Sequence, residues 1–344
     1  MLRDAIHLGA PDGAPPTPGT EHRGPPSVSL ALGSGGARGL AHIGVIQWLV
    51  EHGYRIRSIA GSSMGALIGG IHAANKLDVY VDWVTAMERG TVLRLLDPAF
   101  ARGGLFKGER VIAVLRELCG DHAIESLPVA FTAVAMDLGS GEEVWLREGR
   151  LFDAIRASIA APLIFTPFRH GERMLADGAL VNPLPLAPVL HDATDLTIAV
   201  DLGGAAEALP GAPAPAREPG EDGVARRMRD FIGLHLERAS DASLRWLTDR
   251  AFASMPPKQP VSALQAPDVT VSIPCNACGL HEFWRAPELI RLGRERAAQA
   301  FAEAGLAPRP ATARGRRRTP RHSPCGGRLG HDRRARERVA AVSA

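Results

Sequence analysis

The chain has 344 residues, of which 45% are hydrophobic, enough for one large core or two modest ones. It contains no run of about 18 apolar residues, and residues 1–26 are rich in Pro and Gly without an apolar signal segment, so neither a membrane-spanning helix nor a secretory signal is expected. Four cysteines are too few for a disulfide scaffold and agree with a reducing compartment, so a cytoplasmic location is the expectation.

Charge is distributed unevenly along the chain. Residues 308–344 contain eleven Arg, one Asp and one Glu, a net charge of +9, whereas the whole chain carries only +3 and the preceding residues sum to −6. We expect residues 307–344 to be a disordered basic tail, either a solvated extension or a peripheral contact with an anionic membrane. The tail lacks aromatic side chains that stack on bases, which argues against nucleic acid as a partner.

Two units of strand, glycine turn and helix follow residues 1–26, a leader that we expect to be disordered. The first unit combines a buried-strand run at 28–32, a glycine loop at 33–39 and a helical pattern at 40–50. The second strand, 56–60, enters the turn around Ser63. Parallel strands place such turns at one edge of the sheet, so the two glycine motifs are expected to be neighbours in space.

Ser63 is the centre of a Gly-x-Ser-x-Gly pattern that it forms with Gly61 and Gly65. Glycines at these offsets allow a sharp turn from strand to helix, which holds the serine at the tip of a nucleophile elbow. The start of the following helix favours an anion beside the serine. The pattern is short enough to occur by chance, so the rest of the chain must support a catalytic interpretation.

The glycine loop supplies backbone donors beside this serine. The amides of Gly35, Gly36, Ala37 and Arg38 lie at a predicted helix start and suit the stabilisation of an oxyanion during acyl transfer. Arg38 either adds positive potential or pairs with nearby acids as a structural residue. A dinucleotide site is not expected, because Ser34 breaks the required glycine pattern and the second strand does not end in an acidic residue.

The middle of the chain continues the alternation of helices and strands. Helices are predicted at 79–88, 108–118 and 151–159, and strands at 129–136 and 143–146. Residues 160–168 form an extended connection with two prolines that either lines an acyl pocket or packs under a loop. A short strand then delivers Asp177 into a glycine turn at the end of the sheet, although Asp-Gly alone is an ordinary turn dipeptide.

Residues 203–281 contain three further features. Residues 203–223 are too rich in Pro and Gly for regular structure and are expected to be a flexible insertion. The long helix predicted at 224–255 is either a lid that opens on lipid or part of the core. Cys275, Cys278 and His281 have the spacing of half a zinc site, but no second ligand pair stands at a suitable distance, so neither a metal nor an organic cofactor is expected.

Four motifs carry a resemblance to a known family: loop 33–39, elbow 61–65, the segment around Pro162, and the turn 177–179 with the Asn-Pro-Leu-Pro run that follows it. In this order and spacing they resemble the bacterial patatin-like phospholipases. The resemblance covers residues 28–306, of which the run from 271 to 293 is similar to the family's closing strand and helix. It implies one α/β domain at 27–306, a three-layer α/β/α sandwich with a mainly parallel central sheet and a Ser nucleophile elbow.

The same resemblance implies a serine-dependent lipid acyl hydrolase of the phospholipase A, lysophospholipase or carboxylesterase type. Ser63 corresponds to the family's nucleophile, Asp177 to its partner in a dyad, and residues 35–38 to its oxyanion loop. Ser34 stands where the family has a glycine, a change without consequence if this residue only flanks the donors. The implied substrates are phospholipids, lysophospholipids or simpler acyl esters, and no cofactor is implied.

Two alternatives remain open at this point. His191 is the histidine that follows Asp177 and would complete the Ser, Asp and His order of an ordinary hydrolase triad. A non-catalytic lipid-binding or regulatory module on the same fold is the other alternative. His42, His72 and His170 are isolated in the sequence and receive no role.

Overall fold

The two strand–turn–helix units lie at the centre of a large mixed sheet. The computed structural model describes residues 25–95, 104–208 and 266–306, together with residues 97 and 99. Along these residues the strands are β1 (Ser27–Leu32), β2 (Arg55–Ser62), β3 (Gly104–Phe106), β4 (Ala130–Asp137), β5 (Glu143–Leu146), β6 (Leu163–Phe165), β7 (Phe168–His170), β8 (Arg173–Asp177), β9 (Leu196–Gly204) and β10 (Val269–Pro274). The α-helices are α1 (Ala41–Glu51), α2 (Met64–Ala73), α3 (Leu77–Thr85), α4 (Arg89–Leu95), α5 (Glu109–Cys119), α6 (Leu151–Ser158) and α7 (Ala286–Glu303).

Hydrogen-bonded neighbours connect the main sheet along the path β10-β9-β1-β2-β4-β8-β7, and β5 pairs with β4 outside this path. Neighbouring strands from β10 to β4 are parallel, whereas β5, β7 and β8 pair in antiparallel fashion. β3 and β6 form a separate two-stranded parallel sheet. The prediction of an α/β fold with a mainly parallel central sheet is therefore confirmed.

Strand β4 brings the ends of β2 and β8 together. It pairs with β2 along its first residues and with β8 along its last ones, while β5 pairs across both stretches and so occupies the opposite edge. β2 and β8 consequently follow one another along one edge of β4. Ser62 is opposite Val134, and Asp177 is opposite the next residue, Ala135, so the carboxyl ends of β2 and β8 meet.

The described helices that belong to the large core cluster cover one face of this sheet. Alternate residues of a strand point to opposite faces, and Leu30 and Leu32 belong to the large core cluster that also contains buried side chains of α1, α2, α5, α6 and α7. Ala31, on the other face, belongs to a small cluster with Leu186 and Val189. In the described part of the chain, the centre of this second face is covered by an apolar segment, residues 184–190, that contains no α-helix.

Glycines allow α1 and α7 to cross at close range. A Cβ atom on Gly44 would lie 1.9 Å from the carbonyl oxygen of Ile290, and one on Gly293 would lie 2.0 Å from that of Ala41. These distances are far below any real Cβ contact, so the crossing requires glycine at both positions. The crossing anchors the helix that directly follows the glycine loop.

Most predicted elements are present, and the differences have physical causes. The helix predicted at 79–88 corresponds to α3, which begins earlier, at Leu77, and ends earlier, at Thr85, whose hydroxyl donates to the carbonyl of Val81 (2.7 Å). A further helix, α4, begins at Arg89, beyond the predicted range. The connection at 160–168 contains β6, because this segment pairs with β3 far away in sequence, and it ends at the first residue of β7. β9 had no counterpart among the predicted strands. Phe165 lies against the guanidinium of Arg156, at 5.9 Å from the ring centroid, which favours packing under a loop for this segment.

Several predicted segments lie outside the described residues: 1–24, most of the insertion at 203–223, the helix at 224–255 and the tail at 307–344. The described start of the insertion range continues β9 to Gly204, and the N–H of Glu207 donates to Asn276 Oδ1 (3.0 Å). Among the described helices, none combines the length and apolar character needed to cross a membrane.

Candidate active site

Ser63 forms a strained turn between β2 and α2. It has φ 55° and ψ −120°, a backbone conformation that residues with a Cβ atom seldom adopt. The turn depends on close backbone contacts at both flanking glycines. A Cβ atom on Gly61 would lie 2.3 Å from the carbonyl carbon of Gly65, and one on Gly65 would lie 2.0 Å from the carbonyl oxygen of Leu32. These geometric features are those of a nucleophile elbow.

The hydroxyl of Ser63 donates directly to the carboxylate of Asp177, with 2.7 Å between Oγ and Oδ2. Asp177 is 2% exposed, and its other oxygen, Oδ1, accepts from the N–H of Ala179 at 2.9 Å. Burial raises the pKa of Asp177 from 3.8 to about 7, although the hydrogen bonds from Ala179 and Ser63 lower it in part. The side chain that the sequence predicts as partner of Ser63 is thus in contact with it, as a weakly acidic group.

His191 lies elsewhere on the molecule. It is exposed and adjoins Asp192, whose carboxylate accepts a hydrogen bond from the Ser58 hydroxyl. Ser58 precedes Ser63 by five residues on β2, a separation of about 16 Å along an extended strand. No imidazole is therefore interposed between the serine and Asp177 in the described part of the chain, as a triad would require.

Most amides of the glycine loop already donate hydrogen bonds to carbonyl groups of the protein. The amide of Ala37 donates to the carbonyl of Leu280 (2.9 Å), and the amide of Arg38 to that of Gly35 (3.3 Å). Within the described residues, no acceptor is bonded to the amides of Gly35 and Gly36. Of the four predicted oxyanion donors, these two are available as the loop stands, and the other two require a local rearrangement first.

Arg38 is buried and donates hydrogen bonds to main-chain carbonyl groups. It is 4% exposed, and its guanidinium donates to the carbonyls of Leu202 (3.0 Å), Cys275 (2.7 Å) and Gly35 (3.3 Å). These contacts tie the glycine loop to β9 and to the residue after β10. The observed carbonyl partners favour the structural interpretation of Arg38 over a contribution of positive potential to the site.

His42 is a site residue to which the sequence assigned no role. It is fully buried, and burial lowers its pKa to about 4, so the imidazole is neutral at neutral pH. Its Nε2 lies 2.8 Å from the carbonyl oxygen of Gly33 and must donate, since a carbonyl only accepts. His42 thereby holds the start of the glycine loop against α1. The only sequence signal is its position one turn after the loop.

Three hydrogen bonds near Ser63 and Asp177 were also not predicted from the sequence. Ser62 Oγ donates to the carbonyl of Asn182 (2.6 Å), and the Ser63 N–H donates to the hydroxyl of Ser158 (3.0 Å). The N–H of Asp177 donates to the carbonyl of Ala160 (3.0 Å). No local pattern distinguishes Ser158 from any other serine at the end of a helix.

The cysteines considered as zinc ligands have other environments. Cys278 is buried, and burial raises the pKa of its thiol to about 12, which disfavours the thiolate that binds metals. The carbonyl of Cys275 accepts from Arg38. Among the described residues, no group of three or more His, Cys, Asp or Glu side chains is arranged to hold a metal ion.

Comparisons with known proteins give the following similarities. The family model described as patatin-like phospholipase matches residues 30–190. An uncharacterized NTE family protein of Mycobacterium tuberculosis is 52% identical over 179 residues, which are 52% of this chain and 50% of that protein. A patatin-like phospholipase domain-containing protein of Caenorhabditis elegans is 31% identical over 188 residues, which are 53% of this chain and 14% of that protein.

The chain spans about half the length of the mycobacterial relatives that it matches. Among solved structures, VipD from Legionella pneumophila is similar with a TM-score of 0.36 and 13% identity, over 81% of this chain and 67% of that one.

Proposed function

Because residues 30–190 belong to the patatin-like phospholipase family, a family of lipid hydrolases, we propose that this protein hydrolyses lipid acyl esters with Ser63 as nucleophile and Asp177 as its direct partner. The observation that carries the proposal is the 2.7 Å hydrogen bond from Ser63 Oγ to Asp177 Oδ2 at a strained strand-to-helix turn. Neither the dyad nor the ester class follows from the family name, and both are tested below.

Acylation begins when Ser63 Oγ attacks the ester carbonyl carbon and Asp177 takes the hydroxyl proton. A carboxylate with an ordinary pKa near 4 is a weak base toward a serine hydroxyl. The burial that raises the pKa of Asp177 to about 7 makes its carboxylate more basic. The intermediate then collapses: the bond to the leaving alcohol breaks, the alcohol receives the proton from Asp177, and an acyl-enzyme remains on Ser63.

Deacylation repeats these steps with water in place of the serine. Asp177 takes a proton from water, whose oxygen attacks the acyl carbon, and the proton returns to Ser63 Oγ as the carboxylic acid leaves. In both steps negative charge develops on the former carbonyl oxygen. The amides of Gly35 and Gly36, which have no acceptor within the described residues, are the donors that we assign to it, with support from the start of α2.

Phospholipids, lysophospholipids and simpler carboxylic esters all contain the bond that this chemistry cleaves, and we propose them as the substrate class. The basic tail suggests where such lipids are met. Its net charge of +9 favours contact with an anionic membrane surface, as a peripheral interaction of residues outside the described part of the chain.

The proposal is tested with purified wild type, Ser63→Ala and the neighbouring control Ser62→Ala. Each protein is assayed on p-nitrophenyl esters and on a mixed panel of phospholipids and lysophospholipids, and each is treated with a fluorophosphonate probe. We expect Ser63→Ala to lose both hydrolysis and labelling, whereas Ser62→Ala retains both, since its hydroxyl only donates to the carbonyl of Asn182. Labelling of Ser63→Ala at the wild-type level contradicts the assignment.

A further inference from the structure

The end of α6 contacts both members of the Ser63–Asp177 pair. Ser158, the last residue of this helix, is fully buried, and its hydroxyl accepts the N–H of Ser63 at 3.0 Å. Two residues later, the carbonyl of Ala160 accepts the N–H of Asp177 at 3.0 Å. A stretch of three residues therefore bonds to the main chain of the nucleophile and to the main chain of the carboxylate.

The Ser158 hydroxyl is itself fixed to the sheet. It donates to the carbonyl oxygen of Val134 on β4 at 2.6 Å, so both the donor and an acceptor position of the hydroxyl are used. Val134 is paired with Ser62, the residue before the nucleophile, and precedes Ala135, the partner of Asp177. Ser158 thus links the main chain of Ser63 to β4, the strand with which Asp177 is also paired.

The conformation of Ser63 makes this contact consequential. A non-glycine residue at positive φ costs on the order of 1–3 kcal/mol and persists only when surrounding contacts over-determine it. The close packing at Gly61 and Gly65 excludes other backbone paths, and the carbonyl of Ser63 accepts from the N–H of Leu67 at 3.1 Å within the first turn of α2. The hydrogen bond of its N–H to Ser158 supplies a directional contact at the strained residue itself.

We propose that Ser158 is a positioning residue for ester hydrolysis: its hydroxyl holds the main chain of Ser63 so that Oγ stays within hydrogen-bonding distance of the Asp177 carboxylate. The kinetic part of this inference rests on the function proposed above. The structural part, a contact that restrains the elbow, does not depend on any activity.

Replacing Ser158 by Ala removes one acceptor and one donor at once. The N–H of Ser63 and the carbonyl of Val134 lose these partners, and the strained turn relaxes. A displacement of about 1 Å costs on the order of 10²-fold in rate, so we expect kcat to fall by about that factor while KM changes by less than about two-fold. The hydrogen bond from the Ser63 hydroxyl lowers the pKa of Asp177. Losing this hydrogen bond therefore raises that pKa and moves the acidic limb of the pH profile to higher pH.

The matched control is Ser29→Ala. Ser29 is also fully buried, and its hydroxyl bonds to that of Thr194 at 2.8 Å, away from the dyad. We expect Ser29→Ala to lower the unfolding temperature to a similar degree while kcat and the pH profile stay at the wild-type values. Ser158→Thr keeps a hydroxyl and is expected to recover most of kcat. If the added methyl group prevents Ser158→Thr from folding, Ser158→Cys, whose side chain is close to serine in volume, is used in place of Ser158→Thr.

Amide hydrogen exchange on the same proteins separates this inference from the proposed function. Ser158→Ala is expected to accelerate exchange in the peptide that covers residues 61–66, whereas Ser29→Ala leaves it unchanged. If Ser158→Ala matches Ser29→Ala in exchange or in kcat, the positioning role is wrong even though the hydrolase activity stands. If the wild type cleaves no ester and takes no fluorophosphonate, the proposed function fails, and the exchange rates still decide whether Ser158 restrains the elbow.

Discussion

A single proton on Asp177 couples the chemistry of the site to the stability of the fold. The carboxyl group is buried, and its pKa rises from 3.8 to about 7 mainly through loss of hydration. The folded chain therefore retains this proton at pH values where the unfolded chain has released it. As a result, the contribution of Asp177 to the free energy of unfolding is greatest below about pH 4 and is lost as pH rises toward 7. The ionised form that the proposed reaction needs is the less stable one.

The rate of hydrolysis is expected to follow the ionisation of this carboxyl group. In the proposed mechanism Asp177 acts as a base only when it has released its proton, so kcat/KM should rise with pH, reach half of its maximum near pH 7 and then level off. The measurement is a pH profile on a soluble p-nitrophenyl ester. A half-maximum near pH 4, the value of an exposed carboxylate, contradicts the buried-base mechanism. The profile is repeated with His191→Ala, which removes the side chain that the triad interpretation would require.

Stability provides an independent test of the same pKa. Asp177→Asn keeps the shape of the side chain and an oxygen for the N–H of Ala179 but has no charge to bury. We expect the unfolding temperature of the variant, relative to wild type, to increase from pH 5 to pH 8, by several degrees at the upper end. Thermal unfolding curves across this range supply the comparison. An unfolding-temperature difference that is constant with pH indicates that Asp177 has an ordinary pKa.

The dyad and the triad predict different losses for two single variants. If Asp177 contacts the nucleophile directly, Asp177→Asn lowers kcat/KM by about 10³-fold or more, whereas His191→Ala retains most activity. The double variant distinguishes additive from shared effects, and circular dichroism checks that each protein is folded. A fall of His191→Ala to the level of Ser63→Ala restores the triad interpretation.

The glycine loop acts as one element whose two ends are fixed by different parts of the chain. At its start, the N–H of Gly33 donates to Val200 and its carbonyl accepts from His42. Toward its end, the amide of Ala37 donates to the carbonyl of Leu280. Between these attachments lie the amides of Gly35 and Gly36, which have no acceptor in the described part of the chain and are thus held in one orientation.

Gly36 is the position where this element is most sensitive to a side chain. Its φ is +55°, and a Cβ atom there would lie 2.6 Å from the carbonyl oxygen of Leu280. We expect Gly36→Ala to displace the donors and to lower kcat by on the order of 10²-fold, near the cost of losing one oxyanion donor. Turnover is measured on a soluble ester.

The control for this variant is Gly53→Ala. Gly53 also has positive φ, +78°, but a Cβ atom there meets nothing within 4 Å. Both substitutions carry a similar backbone cost of about 1–2 kcal/mol, so only the contact with Leu280 and the location differ. Equal kcat values for the two variants indicate that the loop does not supply the oxyanion donors.

Across the whole chain, charge is separated between the basic tail and the acidic remainder. Deletion of residues 308–344 removes a net charge of +9. We expect hydrolysis of soluble esters to be unchanged and activity on anionic vesicles to fall, most clearly at low salt where screening is weak. Vesicle assays at low and high ionic strength test this, with neutral vesicles as the control. A lower unfolding temperature after deletion contradicts the prediction that the tail is not part of the core.

The features that depend on neighbouring residues could be predicted from the sequence. Gly61 and Gly65 are required by the backbone contacts of the turn itself, so their spacing around Ser63 indicated the elbow in advance. The parallel pairing of β1 with β2 was predicted from two successive units of strand, glycine turn and helix. It brings the two glycine motifs together as expected, since a Cβ atom on Gly39 would lie 2.5 Å from the Cβ of Met64.

The arrangement of the site required contacts between distant parts of the chain. Asp177 reaches Ser63 because β4 pairs with β2 and β8 along the same edge, and no local pattern encodes that register. Its pKa depends on burial by the assembled core, Ser158 reaches the elbow only through the end of α6, and the free donors of the loop depend on the carbonyl of Leu280. Burial and hydrogen-bond pairing are properties of assembled surfaces, so residue order alone leaves them undetermined.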